Sequence, residues 1–127
     1  MARRQGRGET LNRMLQKLIQ ASSDFEGAVV VSRDGLVIAE AWPGEELSGF
    51  DVGAVATRAF ELSDKTTETL DRGDLEKLIL VGANGNMIIT RAGEYALCVV
   101  LLKPQAKIGI ATFEAARISG QIAAVLI

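Results

Sequence analysis

The run from Tyr95 to Leu102, eight consecutive apolar residues, constrains the fold most strongly. Read as a strand, it places Leu97, Val99 and Leu101 on one face and Cys98, Val100 and Leu102 on the other, so neither face can meet water. The stretch Gly27 to Arg33 (GAVVVSR) has the same character, with Ala28 and Val30 opposing Val29 and Val31. Two such strands belong in the middle of a sheet that other elements cover on both sides. Eight residues are far short of the roughly 20 needed to cross a bilayer, so no membrane insertion is expected.

The remaining periodicities supply the cover. Leu11, Met14, Leu15, Leu18 and Ile19 recur at helical spacing, with Thr10 placed as a cap. After the first strand, Asp34-Gly35 reads as a tight hairpin with positive φ angles, leading to a second strand over Leu36 to Trp42. A second helix is expected from Asp51, its cap, to about Leu70. Its buried stripe would hold Val52, Val55, Ala56, Ala59, Phe60, Ser63, Thr66, Thr67 and Leu70, with Glu61, Asp64 and Glu68 opposite. A third strand follows over Leu75 to Ala83, a turn at Asn84-Gly85, a fourth strand over Asn86 to Thr90, the fifth over Tyr95 to Leu102, and a third helix over Gly109 to Ile127. The order is α-β-β-α-β-β-β-α in a single domain of the α/β (α+β) class, which 127 residues suit.

The third strand is apolar on both faces over Leu78, Ile79, Leu80 and Val81, yet it opens a three-strand meander with no evident outer neighbour. An exposed apolar edge invites another chain, and a twin copy would satisfy its unpaired backbone groups. In the second helix, Ala54, Arg58, Leu62, Lys65 and Thr69 form a flank on which Leu62 stands exposed among basic groups. That flank is either ordinary surface or one edge of a protein-binding face.

Catalytic chemistry finds little to work with. The chain has no histidine, which excludes Ser-His-Asp and Cys-His systems, HExxH zinc sites and Cys/His zinc fingers. No phosphate loop, dinucleotide fingerprint or paired-cysteine motif occurs, and no carboxylate sits within an apolar stretch. Asp71, Asp74 and Glu76, and likewise Glu45, Glu46 and Asp51, read as solvated charge and not as metal ligands. No catalytic residue, cofactor or metal is therefore expected. The single cysteine, Cys98, reads as a core residue, and with no disulfide or apolar leader the expected location is cytoplasmic. Residues 1–8 (MARRQGRG) read as a flexible basic arm. The first 20 residues carry a net charge of +4, residues 21–76 one of −9 and the remainder +3. The near-neutral total of −2 argues against nucleic acid as a partner.

The segments FEGAVVVSRDGLVIAEA (Phe25 to Ala41), DVGAVATRAFELSDKTTETL, GDLEKLILVGANGNMIITRAGEYALCVVL and IGIATFEAARISGQIAAVL closely resemble, in this order and spacing, the Roadblock family of dynein light chains and its MglB-like prokaryotic members. The likeness runs from about Thr10 to Ile127, within a domain spanning residues 9–127. It implies a five-stranded antiparallel sheet of order 2-1-5-4-3, with the second helix on one face and the first and third on the other. It also implies a homodimer joined through the third strands and second helices. Such proteins are non-catalytic adaptors, and the MglB-like ones bind a Ras-like small GTPase of the MglA type and commonly stimulate its hydrolysis of GTP. By this likeness Ala54, Arg58, Glu61, Leu62 and Lys65 lie on the partner platform, and Val55, Ala59, Leu78 and Leu80 at the subunit seam. The resemblance does not by itself imply an arginine finger at Arg58, which reads as a surface helix arginine. A dimeric scaffold or motor-complex adaptor without a GTPase is the alternative, and a small-ligand sensor a third.

Overall fold

The computed structural model describes residues 2–44 and 49–126, with side chains from residue 6 onward. Its elements are α1 (Ala2–Gln20), β1 (Phe25–Ser32), β2 (Val37–Ala41), α2 (Gly49–Thr69), β3 (Lys77–Gly82), β4 (Gly85–Arg91), β5 (Ala96–Leu102) and α3 (Ile108–Leu126). The strands form one antiparallel sheet in the order β2-β1-β5-β4-β3.

The two-faced strands sit where their composition requires. Val29 and Val31 of β1 join Leu97 and Val99 of β5, Ile89 of β4, and Val52, Ala56 and Phe60 of α2 in one core. Ala28, Val30, Cys98, Val100 and Leu102 face the other way, onto Leu11, Leu15 and Leu18 of α1 and Ala115, Ile118 and Ile122 of α3. Each fully buried Val or Leu contributes about 1.5–3 kcal/mol, so both layers are needed to hold the sheet.

Beyond shifts of one or two residues at strand ends, local structure differs from expectation in four places. First, α1 begins at Ala2, so residues read as an arm continue the helix; Thr10 lies inside it and donates its hydroxyl to the Gly6 carbonyl at 2.6 Å instead of capping. Second, Asp51 falls in the first turn of α2, which starts at Gly49, while Glu45 and Glu46 lie outside the described residues. Third, only Gly35 adopts a positive φ (86°) in the β1–β2 hairpin. The Ser32 amide donates to the Leu36 carbonyl and that of Gly35 to the Ser32 carbonyl, so three residues make the turn. Fourth, Gly82 pairs with Gly85, so Ala83 and Asn84 form the next turn and Gly85 already belongs to β4.

One close approach positions α2. A Cβ at Gly53 would stand 2.8 Å from Val31 Cγ1 and 3.1 Å from the Gly35 carbonyl oxygen, so only glycine lets the helix rest on the hairpin. Gly53→Ala is therefore expected to lower stability by about 1–3 kcal/mol in denaturant titrations despite alanine's better helix propensity. Gly8→Ala, whose Cβ would meet nothing within 4 Å, is expected to raise it by about 0.5–1 kcal/mol because α1 runs through that position. No gain at Gly8 would place the start of the stable helix later.

Candidate interaction surface

The sheet's two edges are treated unequally. At the β2 edge α1 lies alongside, and the Asn12 side chain accepts a hydrogen bond from the Glu40 amide at 3.2 Å. Among the described residues α2 is the helix that reaches the β3 edge, because α1 covers β1 and β2 while α3 covers β4 and β5. Opposite Ile89 and Met87, Leu78 and Leu80 point to the α2 side of the sheet, whereas Ile79 and Val81 point to the other. Leu78 is half-buried; Ile79, Leu80 and Val81 are exposed. A shallow hollow of about 450 Å³ lies beside them, lined by Leu80, Val81, Met87 and Leu101 among others.

The buried stripe of α2 is rotated from the one read off its apolar residues. It consists of Gly49, Val52, Gly53, Ala56, Thr57 and Phe60. Thr57 tolerates burial because its hydroxyl donates to the Gly53 carbonyl at 2.8 Å. Val55 and Leu70 are exposed, and Ala59 and Ser63 only half-buried. Outward from the sheet stand Arg58, Glu61, Leu62 and Lys65, with Ala54 half-buried beside them. Phe50, Val55 and Leu62 are 72%, 61% and 71% exposed, an unusual amount of apolar surface for one helix. Val55, Ala59 and Leu62 share one flank by helical spacing, and the sheet face beneath α2 carries the incompletely covered Leu80, Met87 and Leu101.

The second half of α2 is fixed by residues that periodicity did not single out. Phe60 is fully buried between two guanidinium groups, Arg33 at 5.8 Å and Arg91 at 5.1 Å from the ring centre. Asp64, expected opposite the buried stripe, instead accepts from the Leu75 amide at 2.7 Å and from Arg91 Nη2 at 3.1 Å. Arg91 Nε in turn donates to the Leu75 carbonyl at 2.6 Å. The Leu75 amide, and with it the Arg91 guanidinium, holds the Asp64 carboxyl below its ordinary value, against the opposing effect of partial burial. This staple ties α2 to the approach of β3. Its partners are 11 and 27 residues apart in the chain, so no local pattern announces it.

The remaining candidates carry no reactive geometry. Asp71, Asp74 and Glu76 are all exposed. Cys98 is fully buried, and burial pushes its thiol up to about 12, so it stays neutral at physiological pH.

The family model for the Roadblock/LC7 domain matches residues 11–102. The chain belongs to the Roadblock/LC7 family. Among its relatives is the uncharacterized protein MJ0310 of Methanocaldococcus jannaschii, 32% identical over 114 residues that make up 90% of this chain and 97% of that one. Two solved structures share the Roadblock fold closely. An MglB with tetrameric arrangement superposes with a TM-score of 0.86 at 16% identity, covering 94% of this chain and 89% of the other. The gliding protein MglB from Thermus thermophilus gives 0.84 at 17%, covering 94% and 90%. The Roadblock family is one of regulators and adaptors, in keeping with a molecule whose conspicuous features are surfaces.

The staple yields a pH test. Because the folded pKa of Asp64 lies below its ordinary 3.8, its stabilisation is complete above that value and is lost as pH falls through the lowered one. Both partners are about a quarter exposed, so Asp64→Ala is expected to cost about 1 kcal/mol at pH 7. The gap from wild type should narrow in denaturation measured at pH values falling below 3.8; a gap independent of pH would assign the loss to packing alone.

Proposed function

We propose that this protein is a non-catalytic homodimeric adaptor that binds a Ras-like small GTPase of the MglA type and modulates its hydrolysis of GTP. The observations that carry the reading are the exposed apolar edge of β3 at Ile79 to Val81 and the exposed apolar Val55 and Leu62 of α2, the helix that packs against that strand. A second copy placed edge to edge would pair the free backbone groups of β3 and bring the two α2 helices side by side, with Val55, Ala59, Leu78 and Leu80 at the seam. Ala54, Arg58, Glu61, Leu62 and Lys65 of both copies then form one platform, where Leu62 supplies an apolar contact and the mixed charges set orientation. The platform acts by ordering the switch segments of the GTPase, with no group of its own entering the chemistry.

Capture of an MglA-type GTPase on the immobilised protein tests this. Retention of the GTPase loaded with a non-hydrolysable GTP analogue over the GDP form is expected, falling at least tenfold with Leu62→Glu while the fold is unchanged. A dimer that retains neither form would leave an adaptor without a GTPase, and a monomer at micromolar concentration would remove the platform. Turnover of GTP by the captured partner then separates stimulation from binding alone.

A further inference from the structure

The outward face of α3 has the wrong composition for a solvated surface. A helix lying on a sheet ordinarily presents charged and polar residues to water. Here Ile110 and Phe113 are 62% and 68% exposed, and Gly109, Ala116, Gly120 and Ala124 are exposed in line with Phe113 at helical spacing. Cβ atoms at Gly109 and Gly120 would meet nothing within 4 Å, so the backbone there is open to approach. The only charge on this face is Arg117, already paired with Glu114 at 2.7 Å. Depletion of charge around an exposed aromatic residue is the composition of an interface centre. It is not that of a face seeking anionic lipid, which would carry unpaired lysines or arginines.

We infer that this face binds the same face of a second copy, with the two α3 helices antiparallel. Bulk is concentrated at the start of the stripe, in Ile110 and Phe113, and space at its end, in Gly120 and Ala124. Reversing one helix therefore seats each Phe113 over Gly120 of the other copy and sets Gly109 against Ala124, with Ala116 beside the two-fold axis. A two-fold contact requires this self-complementarity. Charge agrees with size. In an antiparallel pair like flanks meet, so the Arg117 and Glu114 flank of one copy lies along its twin in reverse order, each Arg117 within reach of Glu114 of the other copy. This contact stands apart from the proposed GTPase platform, because α2 packs on the opposite face of the sheet.

Sedimentation equilibrium of the full chain and its variants separates the two surfaces. Wild type should assemble beyond a dimer. Gly120→Leu, which fills the space for Phe113 without touching its own core, should weaken the α3 association at least tenfold and leave any β3-edge dimer intact. Val81→Lys should retain the α3 association, and the double variant should be monomeric. Ala116→Cys should form a disulfide-linked pair on mild oxidation, whereas wild type, whose Cys98 is buried, should not. If Gly120→Leu leaves the mass distribution unchanged and Ala116→Cys fails to cross-link, the inference is wrong, whatever the edge variant does. If Phe113→Glu instead abolishes binding to anionic vesicles without altering assembly, the face belongs to lipid and the self-contact is likewise excluded.

Discussion

Two central strands that tolerate water on neither face impose the architecture. Val29, Val30 and Val31 of β1 and Leu97, Cys98, Val99 and Val100 of β5 are fully buried. Uncovering either side would cost several residues' worth of burial, more than the 5–15 kcal/mol by which a domain of about this size is stable. The chain must therefore build two helical layers. Three helices suffice for four strands, α1 over β1 and β2, α3 over β4 and β5, and α2 on the far side. The remaining strand, β3, is left with the least cover, although Leu78 to Val81 make it apolar on both faces.

The position of α2 turns that shortfall into a defined surface. Gly53 lets the helix settle on the β1–β2 hairpin, Phe60 anchors its middle between Arg33 and Arg91, and Asp64 fastens its later turns to Leu75 just before β3. The helix flank and the sheet edge are thus held in fixed relation. The opposite edge has more cover, since Asn12 takes up the Glu40 amide and α1 lies beside β2. Proteins usually blunt exposed sheet edges with charge, proline or cover. β3 has no such cover and exposes Ile79, Leu80 and Val81, which is why the proposed pairing rests on that edge.

Most of the fold was legible because its signals are local. Alternation, two-faced apolar runs and the 3.6-residue period placed all eight elements and called for cover on both faces of the sheet, while the division of the helices between those faces and the strand order followed from the family likeness. The site was legible in part. Arg58, Glu61, Leu62 and Lys65 do face outward, and β3 is indeed an edge. The rotation of α2 was misread because burial there follows shape and pairing more than apolarity. Gly53 is buried for its missing side chain and Thr57 because its own helix accepts its proton, while Asp64 turns partly inward to partners beyond the helix. Val55 and Leu70, apolar and counted as core, are left outside because the small residues bring the sheet to the other flank. The Arg33, Phe60 and Arg91 stack joins three separate elements, and only the tertiary fold reveals it.

If the β3 edge is the pairing surface, its outward backbone groups must become protected when copies meet. Amide hydrogen exchange resolved along the chain and repeated over a range of protein concentrations measures this directly. In an antiparallel strand alternate amides point away from the neighbour, so about half of those between Lys77 and Gly82 face away from β4. Their protection is predicted to rise with concentration, while that of β5, already paired on both sides, stays constant. Outward β3 amides that exchange freely at every concentration would contradict the edge's role in assembly.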